Sequence, residues 1–169
     1  MMTTHAYDID PLDPESLTRG TVENRKELYR QQQAMRALGG EWKNLRIVAT
    51  APYLGIREAR RIMGRYTVTL QDALDGRHHD DAVCRVMFGL DVHALRADAE
   101  NGASHKKLHA QPFDIPMRAL EAADIDNLLL AGRLISGDFF AHSAYRVTGD
   151  AATLGEAAGC EAALRALRS

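Results

Sequence analysis

Asn127-Leu128-Leu129-Leu130-Ala131-Gly132-Arg133 is the stretch on which the fold of this chain turns. Four consecutive apolar residues, 128–131, end at a glycine. A run without polar alternation predicts a strand buried on both faces, as in a parallel sheet covered by helices. That places the chain in the α/β class, with some α+β mixing. Downstream, residues 150–168 are strongly helical, and Ala151, Gly155, Gly159 and Ala163 recur every four residues along one face. Small residues at that spacing predict close packing of this helix onto a neighbour. Upstream, the 112–116 segment reads as extended, because Pro112 and Pro116 each disfavour helix in the residue before them.

Further out the signals are mostly local. Asp13-Pro14-Glu15 opens a helix with a capping carboxylate, a proline at the first helical position and an acid near the positive end. Leu17, Leu28, Met35 and Leu38 form its apolar stripe, and Gly39-Gly40 stops it. Residues 45–50 read as a strand ended by Ala51-Pro52. The 55–69 stretch fits helix and strand about equally, with extended structure favoured from about Arg60. Thr69-x-x-Asp72 forms a capping box for a short helix closed by Gly76. Residues 83–93 alternate loosely as a strand would, and 94–111 are polar, with a turn at Asn101-Gly102.

The chain has 169 residues, 46% hydrophobic and 26% charged, with a formal charge of −2. This is ordinary globular composition and enough chain for one core. The near-neutral balance argues against a nucleic-acid or membrane-surface protein. No apolar run reaches the roughly 20 residues of a membrane helix, and residues 1–10 hold no hydrophobic signal core. A cytoplasmic chain is expected. Cys84 and Cys160 make neither a disulfide framework nor a four-thiolate zinc site. His78-His79-Asp80-Asp81 and the His105/His109 pair offer metal-capable groups in polar surroundings, and no metal site is assigned to them.

Five segments, in this order, resemble a known family. They are Ala49-Thr50-Ala51-Pro52-Tyr53-Leu54-Gly55-Ile56-Arg57-Glu58-Ala59-Arg60-Arg61-Ile62, Asp91-Val92-His93, Phe113-Asp114-Ile115-Pro116-Met117-Arg118, Asn127 through Ser136, and Arg146-Val147-Thr148-Gly149 leading into Gly155-Glu156-Ala157-Ala158-Gly159. Together they look like the C-terminal part of the FAD-dependent oxidoreductases with a glutathione-reductase-type nucleotide fold. The likeness runs from about Asp13 to Leu167. It implies a partial FAD-binding, Rossmann-like fold. Residues 1–12 would then be an irregular lead-in, 13–120 a helix plus a β-rich part like a substrate domain, and 121–169 the C-terminal strand and helix of the FAD-binding domain. The family's G-x-G-x-x-G turn, which brings backbone against the pyrophosphate, has no counterpart among the 13 glycines.

The resemblance also implies site residues. Gly132 and Arg133 would lie beside the ribityl chain and phosphates of FAD. Thr148, Gly149, Asp150 and Ala151 would point a helix N-terminus at the flavin pyrimidine edge. His142 would act as a general acid or base, Arg146 would hold a substrate anion, and His93 would have a catalytic role. Against this stand ordinary readings: a strand exit at Gly132-Arg133, a loop glycine at Gly149, a hydrogen-bonded His142, an ion-paired Arg146 and a strand-end His93. The arginines at 57, 60, 61 and 65 could meet phosphates or be paired with acids.

The function expected is the flavin-side portion of an oxidoreductase. It would move hydride between a small-molecule substrate and FAD, either together with a second polypeptide that carries the G-x-G-x-x-G strand-turn-helix or as a fragment of a longer enzyme. The alternative is a non-catalytic module that keeps the fold, binds no cofactor, and recruits a partner or self-associates through an exposed sheet edge.

Overall fold

Asp13 caps the first helix. Its carboxylate accepts from the Glu15 and Ser16 amides at 3.0 and 3.1 Å, and α1 runs Pro14–Ala37. Gly39 and Gly40 then take positive φ angles of 73° and 54°, which glycine adopts without strain. A short 3₁₀ turn, Gly40–Asn44, follows. The computed structural model describes residues 4–94 and 108–168. Their contacts form two compact units, 1–59 with 94–99 and 60–93 with 100–169.

In the first unit α1 is covered less than its stripe suggests. Leu17, Leu28 and Met35 are half-buried, but Leu38 is 75% exposed, and the fully buried positions are Ser16 and Gly20. Gly20 sits so close to Ile9 that a Cβ there would lie 2.6 Å from its Cδ1. The strand expected over 45–50 does not form: those residues join no ladder, and Val48 is almost fully exposed. Strand propensity expresses packing against a neighbour, and among the described residues no strand lies beside this segment.

The second unit holds the core. Tyr66, Thr69 and Asp72 build its first corner: α2, Leu70–Asp75, starts with the expected capping box and ends at Gly76 with φ +62°. Two strands follow, β1 (Ala82–Val86) and β2 (Phe113–Pro116), paired antiparallel with Val86 opposite Phe113 and Cys84 opposite Ile115. All four β2 residues are buried. Asp138 caps α3, Phe139–Tyr145, by accepting from the Ala141 amide. The last helix, α4, runs Thr148–Arg168 and packs on β1 and on the 3₁₀ turn Gly132–Leu134. Val68, Val86, Phe113, Ile115, Leu120, Ile135, Tyr145 and Leu154 have no exposed surface and form the centre.

The mixed helix-and-strand class therefore holds, but two expectations are corrected. The 128–131 run is not a strand buried on both faces. It lies antiparallel beside 120–122, with the Ala122 amide donating to the Leu128 carbonyl (3.1 Å) and the Leu130 amide to the Leu120 carbonyl (2.9 Å). Leu128 is 39% exposed and Leu129, Leu130 and Ala131 are half-buried. An apolar run signals a tendency to be buried; it does not specify a parallel partner. The small-residue face of α4 also lacks its close neighbour: a Cβ on Gly155 or Gly159 would meet nothing within 4 Å among the described residues. No helix among the described residues is long and apolar enough to cross a membrane.

Candidate functional site

Gly132 has φ +67°, a conformation that strains any residue with a Cβ. It opens the 3₁₀ turn Gly132–Leu134 and lies against the first turn of α4, where its Cβ would come 3.8 Å from that of Ala151. Arg133, next in the turn, is exposed. So are Thr148 and Gly149, and a Cβ on Gly149 would find nothing within 4 Å. The first amides of a helix have no acceptor within it, and Val147 has no side-chain oxygen to cap them. Asp150 belongs to the same turn. Its Oδ2 is buried without a hydrogen-bond partner, and burial pushes the carboxyl above its ordinary range. All six residues expected at a cofactor are thus gathered where one turn meets one helix end.

A second grouping joins residues far apart in sequence. Arg146 follows α3, and its side chain is only 6% exposed. Its Nη2 donates to the Asp91 carbonyl at 2.5 Å and lies 4.0 Å from the Asp91 carboxylate. The other carboxylate oxygen is 3.0 Å from His93 Nε2. His93 and Arg146 therefore meet through Asp91, a residue that sequence reasoning quoted in its motif but assigned no role. The signal was the two-residue spacing, which puts both side chains on one side of an extended segment.

His142 is elsewhere. It is 1% exposed inside α3, edge-on to Tyr145 with ring centroids 5.2 Å apart. Asp138 is occupied by capping α3 and by the Leu70 amide, and Ser143 Oγ donates to the Phe140 carbonyl.

Several groups of the remaining charged clusters are paired. Burial pushes Asp114 up, but hydrogen bonds from His78 and Arg85 outweigh it and leave its carboxyl below the usual range. Among the described residues no three His, Cys, Asp or Glu side chains could hold a metal ion, and His105 lies outside those residues. Arg61 donates to the Gly137 carbonyl, and Arg65 pairs with Glu121 and Asp126. An open hollow of about 430 Å³ runs along α1 past Val22, Arg25 and Tyr29; the Lys26 and Arg30 beside it are neutralised by Glu23 and Glu27.

The model of the family described as FAD dependent oxidoreductase matches residues 1–169, the whole chain. No curated protein and no solved structure matches it.

Proposed function

The chain belongs to the FAD dependent oxidoreductase family, and from that premise we propose that it is the flavin-side portion of an enzyme with a glutathione-reductase-type nucleotide fold. Its ADP-binding part would lie outside these 169 residues, which hold no G-x-G spacing. One observation carries the reading: Gly132 lies against Ala151 in the first turn of α4, and Arg133, Thr148 and Gly149 beside them are exposed.

The residues there suit the cofactor. Gly132 lets the backbone pass close, and the Arg133 guanidinium is suited to paired phosphate oxygens. The amides of Thr148, Gly149 and Asp150, at the positive end of α4, would face the part of the ring where negative charge develops. Bound FAD would supply a hydride acceptor for a small-molecule substrate. Of the two candidate histidines, His93 is half-buried and His142 enclosed, so His93 is better placed to pass a proton to solvent. Arg146, held by Asp91, would bear positive charge beside it.

Flavin absorbance tests the reading. The chain would be purified alone and after co-expression with a reading frame encoding a G-x-G-x-x-G strand-turn-helix. Yellow protein in at least the second preparation is expected. Colourless protein in both, with no rise in Tm on adding FAD, would leave the non-catalytic module instead.

A further inference from the structure

Asp91 makes two contacts of different kind. Its backbone carbonyl accepts from Arg146 Nη2 at 2.5 Å, and its carboxylate meets His93 Nε2 at 3.0 Å through one oxygen, the other lying 4.0 Å from Arg146. Arg146 is almost wholly enclosed, and a buried guanidinium is tolerated only where its charge is met. In these contacts the anion Asp91 meets His93 on its own segment, and Asp91 in turn meets the cation Arg146 from the junction of α3 and α4.

We infer that Asp91 is a positioning residue: it orients the His93 imidazole through Nε2 and fixes Arg146 beside it, so that one residue sets both the proton-handling and the charge-bearing group of the site. Its catalytic use presupposes the flavin site proposed above; the contacts themselves do not. A carboxylate on one ring nitrogen fixes the tautomer and ring plane and favours the protonated form. The carbonyl contact ties the 91–93 segment to the residue two positions before α4, so the histidine is held relative to the helix end that would face the cofactor.

The test uses the cofactor-free chain and ¹H–¹⁵N NMR of the histidine rings across pH. Asp91→Asn keeps the size of the side chain and the carbonyl that holds Arg146, and removes only the charge. In this variant the His93 midpoint falls to lower pH with Tm little changed. An unchanged His93 midpoint overturns the assignment. Should the variant fail to fold, the wild-type chain is titrated at low salt and at about 1 M salt, where screening weakens a partly exposed pair. His93 then moves down with salt, and a midpoint indifferent to salt overturns the assignment equally. Adding FAD to the wild type separates the two proposals. A shifted His93 resonance supports both. A charge-dependent midpoint in a chain that binds no FAD, either alone or co-expressed with the G-x-G-x-x-G part, supports the hold of Asp91 on His93 and overturns the flavin reading alone.

Discussion

Gly132 and Ala151 face each other where the turn meets α4, with 3.8 Å between the Ala151 Cβ and the place a Gly132 Cβ would occupy. That distance is ordinary contact, so space does not exclude a side chain at 132. The backbone does, because φ is +67°. Gly132→Ala should therefore destabilise the chain by about 1 kcal/mol through strain alone. Urea unfolding checks it: the midpoint drops while the slope with denaturant stays constant. A neutral substitution would mean that the turn does not depend on its left-handed residue.

Arg133 is exposed beside that turn, so its removal should affect a ligand more than the fold. Loss of a charge-assisted hydrogen bond is worth about 1.5–3 kcal/mol, a weakening of FAD binding by tenfold or more. Arg133→Ala is expected to show that loss in a fluorescence titration and to keep the wild-type urea midpoint without FAD. Equal FAD affinity in the two proteins would remove Arg133 from the phosphate site.

Glu121 is 8% exposed and serves two arginines, Arg65 from the 60–69 segment and Arg165 from α4. Truncating it takes one carboxylate from each, although Arg65 keeps Asp126 and Arg165 keeps Glu161, and the two guanidinium groups are themselves partly in water at 50% and 30% exposure. The penalty should fall short of a fully buried pair: about 2 kcal/mol for Glu121→Ala. Arg165→Met made in that background should cost less than Arg165→Met alone, because its partner is already gone. Strict additivity in the thermal melts would show that the contact contributes nothing.

What was legible in the sequence is what depends on neighbouring residues. Asp13 caps α1, Thr69 and Asp72 form the capping box, Gly76 stops α2, and the 112–116 segment is extended, all from interactions spanning four residues or fewer. Pairing partners were not legible. The 128–131 run lies against 120–122 because that segment leaves the core beside it, and nothing within the run encodes this. The same limit hid the role of Asp91. Its link to Arg146 crosses 55 positions and uses a backbone carbonyl, which no side-chain pattern reveals.

Asp150 gives the remaining prediction a sign. Burial raises its carboxyl in the folded chain above the unfolded value of about 3.9. Its contribution to stability is then complete below that unfolded value and is lost as pH rises through the folded one. At neutral pH the wild type carries this loss and Asp150→Asn does not. The variant should be the more stable protein at pH 7, read as a higher Tm, and the advantage should shrink towards pH 4. A difference independent of pH would show that Asp150 is not held against its preferred charge. Cys84 supplies a second readout, since burial, and after it the charges of Asp150 and Asp114, push its thiol up to about 11. Removing the charge at 150 should bring that thiol down. Cys84 should then react faster with a thiol reagent than in the wild type, and its rate should rise at a lower pH.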